Sequence, residues 1–178
     1  LAAQVLLDHL IEQRVDGPAR RALQGAMCRS HNAALVDGLL SCIEQPGTYT
    51  GHAVAAAAEL LGMRREKVAI DALKVLAKRE SSPLTRKVAI TALGRIGDRR
   101  MADVLLDSLE EPALAEPAAL ALLMLGDRRG VDFHGRALAE NRLDLQGHPA
   151  EIVGRYGGPS HLLLLIHLAE GEDDRALG

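Results

Sequence analysis

Aliphatic and small side chains recur along this chain in two helical registers that alternate. Reading backwards from Gly62, Gly97, Gly126 and Gly157, the residues five before are Ala57, Ala92, Ala121 and Ile152, and those four before are Ala58, Leu93, Leu122 and Val153. One before stand Leu61, Ile96, Leu125 and Tyr156, and eight before stand Val54, Ala89, Ala118 and Pro149. Positions at these offsets share one face of an α-helix, so each glycine closes an amphipathic helix with a core stripe. Small residues in the stripe let neighbouring helices approach closely. These are the inner helices of a layered arrangement.

The second register belongs to outer helices. Leu7, Leu39, Leu73, Leu105 and Leu165 align, with Gly135 as the exception, and three residues on come Leu10, Cys42, Leu76, Ser108, Leu138 and Leu168. Two further on lie Glu12, Glu44, Lys78, Glu110, Glu140 and Glu170, at intervals of 30 to 34. Turn signals separate outer from inner helices: Asp16-Gly17-Pro18, Gln45-Pro46-Gly47, Ser81-Ser82-Pro83 and Glu111-Pro112. Proline there stops one helix or opens the next at little cost. After an inner helix, glycine supplies the positive φ that ends it, and Asp98 or Asp127 caps the amides of the helix that follows.

The four glycines are 35, 29 and 31 residues apart, the period of helical solenoids. The spacing predicts an all-α protein, a right-handed α-α superhelix of about five helix pairs plus the start of a sixth. As one domain over 1–178, its repeats fall near 1–30, 31–65, 66–100, 101–129, 130–158 and, in part, 159–178. The unit from Gly130 to Gly157 is expected to be looser or kinked, because Gly135 interrupts its outer helix and Asn141 to Pro149 is polar. The chain starts at Leu1, and Asp173-Asp174-Arg175-Ala176-Leu177-Gly178 reads as the opening of a further repeat, so a piece of a longer protein is expected.

Composition sharpens this picture. Aromatic residues are only 2% of the chain, so the core is built in thin layers of Leu, Ala, Val and Ile rather than around large rings. A net charge of -3 gives no general attraction to nucleic acid or to an anionic membrane. The longest apolar run, Leu162 to Ile166, is far too short to span a bilayer, and no N-terminal signal is visible, so the cytoplasm is the expected compartment. Cys28 and Cys42 lie fourteen residues apart without CxxC spacing and read as buried, reduced thiols.

The segment Arg86-Lys87-Val88-Ala89-Ile90-Thr91-Ala92-Leu93-Gly94-Arg95-Ile96-Gly97-Asp98-Arg99-Arg100 resembles the inner helix and following turn of bacterial HEAT repeats. More narrowly, it is similar to the variety named after phycobilin lyases. The resemblance is strongest from Lys67 to Arg129. It implies the solenoid fold, whereas such repeats serve many unrelated roles. Deoxyhypusine hydroxylase, built on a similar scaffold, holds two irons with His-Glu pairs ten and nine residues before the glycine. Here those places read His52-Ala53, Lys87-Val88, Glu116-Pro117 and Gly147-His148, so the diiron reading fails. A phycobilin lyase would bind a tetrapyrrole, which wants stacking surfaces that this chain hardly offers. HEAT-like DNA glycosylases need a cationic face with aromatic residues, and neither is present.

Seven histidines invite a metal reading that their spacing does not support: His161 and His167 are six apart, on different helix faces. Solvated or capping roles are expected instead, with no metal and no cofactor. Arg64-Arg65, Arg99-Arg100 and Arg128-Arg129 fall in matching turns, where stacking would align them as a basic, anion-binding ridge or where they pair with Asp98 and Asp127. Opposite the core stripe, ten, six and two residues before each glycine, lie His52, Ala56 and Leu60; Lys87, Thr91 and Arg95; Glu116, Leu120 and Met124; and Gly147, Glu151 and Arg155. Curvature makes these the concave face. Charge mixed with exposed Leu and Met suits protein recognition, although Leu60, Leu120 and Met124 could equally help pack neighbouring repeats. The expected function is therefore a non-enzymatic scaffold binding a protein partner or another domain of its own chain. A bilin-lyase-like enzyme and a structural spacer are the alternatives, and the oligomeric state is left open.

Overall fold

Hydroxyl side chains fix where two of the inner helices begin. Thr50 and Ser82 both hold extended backbone, and their hydroxyl oxygens accept the amide hydrogens of Ala53 and Thr85 at 3.3 and 3.4 Å. Each satisfies an amide that a helix start otherwise leaves unpaired. The computed structural model describes residues 17–30, 32–45, 47–79, 82–140 and 149–159, together with positions 162, 165 and 166.

Among the described residues every regular element is helical. The order is α1 (Gly17–Arg29), α2 (Ala33–Glu44), α3 (Gly51–Met63), α4 (Ile70–Arg79), α5 (Pro83–Ile96), α6 (Ala102–Leu109), α7 (Ala115–Met124), α8 (Arg128–Ala139) and α9 (Pro149–Tyr156). Single 3-10 turns, Lys67–Ala69 and Arg99–Met101, lead into α4 and α6. Helices α3, α5 and α7 lie side by side as the inner layer, while α2, α4, α6 and α8 back onto them from outside. The inner helices pack on one another more extensively than the outer ones do, so the stack bends with its inner layer on the concave side. The chain is an α-solenoid.

One continuous core runs through the layers. It joins Leu39, Leu73 and Leu105 of the outer helices to Ala92, Leu93, Ala121 and Leu122 of the inner ones, all 1% exposed or less. Each fully buried leucine contributes about 1.5–3 kcal/mol of burial free energy. Glu44, Lys78, Glu110 and Glu140, aligned in the outer register, are all exposed at the outer helix ends.

The inner register of the second unit needs correction. Backbone at positive φ ends the inner helices at Arg65 (56°), Gly97 (80°) and Gly126 (73°), so Arg65, not Gly62, is the equivalent of Gly97. Gly62 lies inside α3, matching Gly94 inside α5. The caps agree, since Thr50 precedes Ser82 by the same 32 residues that separate Arg65 from Gly97. A shift of three residues rotates a helix by only about 60° short of a full turn, so a core stripe remains apolar in either register. Leu60 and Leu61 therefore occupy the places of Ala92 and Leu93, and both are fully buried.

The unit after Gly126 also departs from expectation. Helix α8 runs unbroken through Gly135, which is buried. Helix α9 leans on α8 more than on α7, leaving a cleft of about 270 Å³ between α7 and α9. Positions 141–148, expected to be polar and loose, lie outside the described residues.

Candidate functional site

With the register set by Arg65, Gly97 and Gly126, the inner-helix face resolves into three rows. The first holds Ala55, Lys87 and Glu116, the second Glu59, Thr91, Leu120 and Glu151, and the third, nearest the turns, Met63, Arg95, Met124 and Arg155. Lys87, Met124, Glu151 and Arg155 are exposed, while Thr91, Arg95, Glu116 and Leu120 are half-buried. Of the positions expected on this face in α3, Ala56 and Leu60 are instead buried, and His52 sits exposed in the first turn. Their places are taken by Ala55, Glu59 and Met63. Gly147 lies outside the described residues.

Three adjoining hollows follow these rows, and Met124 borders all of them. A hollow of about 520 Å³ is lined by Glu59, Leu84, Lys87, Thr91, Glu116 and Leu120. One of about 530 Å³ on the turn side is lined by Met63, Arg65, Arg95, Gly97 and Met124. The cleft between α7 and α9 is lined by Leu120, Leu123, Ile152, Arg155 and Tyr156. Hence Leu120 and Met124, which could equally have been packing residues, keep part of their surface open.

Charges on the face are only loosely paired. Arg95 Nη1 stands 3.8 Å from Glu59 Oε1, and Gln24 Nε2 donates to the other oxygen of Glu59 at 3.4 Å. Arg155 Nη2 donates to Glu151 Oε1 at 2.8 Å across one helical turn. Such exposed pairs contribute less than about 1 kcal/mol each and exchange easily. Lys87 has no ion pair among the described residues, while its carbonyl accepts the Thr91 hydroxyl at 3.0 Å.

The six arginines expected as a ridge divide into separate roles. Arg64 is no part of any ridge: its side chain is 8% exposed and turns back into the preceding unit. Its Nη1 donates to the carbonyls of Met27 and Ser30, both at 2.6 Å, and its Nε donates to Glu66 at 3.0 Å. It thereby closes the carbonyl end of α1, where unpaired acceptors attract a cation. Arg100 grips Asp98 with Nε and Nη2 at 3.0 and 2.6 Å, and Arg129 grips Asp127 at 2.9 and 2.6 Å. Hydrogen bonding to Arg100 holds the Asp98 carboxyl at about 2, well below its ordinary range. Arg129 lowers Asp127 in the same way. Arg99 and Arg128 remain exposed, and Lys67 stands in their place in the earlier unit. The register shift concealed Lys67 from the sequence.

Two other groups differ from expectation. His134 is neither solvated nor a cap: it is fully buried, with Nδ1 2.8 Å from the Gly130 carbonyl. Cys28 is half-buried rather than buried, whereas Cys42 is buried as expected, and neither is held in a disulfide. Among the described residues no three His, Cys, Asp or Glu side chains gather as a metal site, and no helix is long and apolar enough to cross a membrane.

A family model described as HEAT repeats matches residues 36–126, just over half of the 178-residue chain. No curated protein matches it. The matched stretch spans α3, α5 and α7 and holds the first two hollows of the inner face.

Proposed function

The chain belongs to the HEAT-repeat family, and we propose that it is a non-enzymatic scaffold that binds a protein partner, or another domain of its own chain, on the inner-helix face. Repeats of this family generally act as protein-interaction scaffolds. The observation that carries the reading is the run of three hollows across α3, α5, α7 and α9, meeting at Met124. Its floor mixes exposed aliphatic side chains with weakly paired charges, the composition of a recognition surface. Because the surface is preformed by packed helices, little ordering entropy opposes binding.

The alternative of a bilin-lyase-like enzyme draws less support. Of the described aromatic residues, only Tyr156 borders these hollows, so a planar tetrapyrrole would have one ring to stack upon. A bilin added to the protein should show no absorbance shift; a shift with a new band would favour the enzyme.

Affinity capture followed by substitution tests the scaffold reading. A partner recovered with the unaltered chain should be lost with Leu120→Glu and kept with Lys78→Glu on the outer side. A partner kept by Leu120→Glu and lost by Lys78→Glu would place binding on the wrong face. Recovery of nothing, from a correctly folded chain, would leave only a spacer.

A further inference from the structure

We infer that the turn-side row of the inner face is a docking strip for an extended, acidic segment of the partner that carries aliphatic side chains at three-residue spacing. The inference rests on the reading of this face as a protein-binding surface, and adds the chemistry of what it takes.

Along this row methionine and arginine alternate from one repeat to the next: Met63, Arg95, Met124 and Arg155. Met63 is 42% exposed and Met124 50%, so both keep apolar surface open along the row. Their unbranched thioethers adapt to varied aliphatic partners. The hollow beneath them is lined by two guanidinium side chains, Arg65 and Arg95, and by no carboxylate.

Arg65 is the decisive residue. It holds φ at 56°, where the two following repeats have Gly97 and Gly126. A side chain in that conformation costs about 1–2 kcal/mol. A cation at a helix C-terminus recovers about 0.3–1 kcal/mol from the helix dipole. That gain accounts for Arg95, which sits in the last turn of α5 in ordinary helical backbone. It does not offset the backbone cost at Arg65. Observed strain of this kind is a pointer to function, and here the strained residue lines the hollow. The anchor of Arg95, Glu59 at 3.8 Å, is weak enough for an incoming carboxylate to displace.

Geometry sets the spacing. Packed helices lie about 8–10 Å apart, and a segment in the extended polyproline II conformation advances about 3.1 Å per residue with every third side chain on the same side. Every third residue of a segment crossing the inner helices thus meets a new repeat. A carboxylate over Arg65 and Arg95 then puts side chains three residues before and after it over Met63 and Met124.

Panning the full chain against a random-peptide display library tests this, with Arg65→Glu/Arg95→Glu as the comparison and circular dichroism to confirm its fold. Enriched peptides should carry Asp or Glu flanked by aliphatic residues three positions away. Their binding should drop roughly tenfold or more on the charge reversal, the loss of one charge-assisted contact or more, and persist with Arg128→Glu. Basic or uncharged peptides that are lost with Leu120→Glu but indifferent to the charge reversal would overturn the acidic strip and leave the scaffold reading standing. Enriched peptides indifferent to Leu120→Glu and to the charge reversal alike, or no enrichment at all, would overturn both.

Discussion

Gly62 lies so close to Ala92 of the next inner helix that a β-carbon on it would stand 2.6 Å from the Ala92 α-carbon. Gly94 stands in the same relation to Ala121, at 2.7 Å. The obstructing atoms are backbone, so neither neighbour can swing aside.

Gly94→Ala should therefore force α5 and α7 apart and cost about 1–3 kcal/mol, as overpacking does. Urea unfolding followed by circular dichroism measures it. Gly47→Ala, with open space around it, serves as the comparison and should change little. Equal midpoints for the two variants would contradict the close approach.

Relieving the left-handed backbone at Arg65 should make the protein more stable. Arg65→Gly is expected to add about 1 kcal/mol, because glycine adopts positive φ without a β-carbon clash. Binding of acidic peptides should weaken in the same variant. Stability that falls on this change would mean that the Arg65 side chain makes a contact worth more than its strain.

Losing Arg64 should loosen the first described helix. Arg64→Ala strips the Met27 and Ser30 carbonyls of a charged donor and is expected to cost about 2 kcal/mol. Hydrogen exchange would rise mainly in α1, since a solenoid unit contacts only its neighbours. Arg64→Lys should rescue part of the loss, one ammonium being unable to span the same carbonyls and Glu66. Uniform exchange across α1 to α7 would contradict this.

Buried His134 should make stability depend on mild acidity. Desolvation by burial holds its pKa below the ordinary 6.5. Its Nδ1–H donates to the Gly130 carbonyl, and Nε2 has no partner among the described residues, so a second proton has no acceptor to meet. The unfolded chain binds that proton more readily. Stability is thus full above about pH 6.5 and falls as pH drops through the folded pKa, by at most about 1.4 kcal/mol per pH unit. Asp98 and Asp127, both depressed from 3.8, keep their contributions until the pH falls below that value. His134→Gln should flatten the slope below about pH 6.5 in thermal melts. An unchanged slope would assign it to another group.

The face itself was only partly legible in the sequence. Lys87, Thr91, Arg95, Glu116, Leu120 and Met124 were readable because Gly97 and Gly126 do end their helices. Met63 and Glu59 were not, because Arg65 does the work of a glycine and Gly62 offered a false stop three residues early. A three-residue slip leaves leucine and alanine in the core stripe, so hydrophobic pattern cannot detect it. Cap spacing could have: Thr50 and Ser82 are 32 residues apart, as are Arg65 and Gly97. The buried state of Arg64 had no local signal, since its acceptors are carbonyls more than thirty residues earlier.

By itself, the sequence determined the helices, their pairing and the layered core, because these follow from short-range periodicity and turn chemistry that each repeat restates. Tertiary structure alone decided which end of α3 matches α5, which arginines turn inward and which methionines stay open. Those depend on how far one helix slides and rotates against the next, and that is set by backbone contacts such as Gly62 on Ala92 rather than by side-chain pattern.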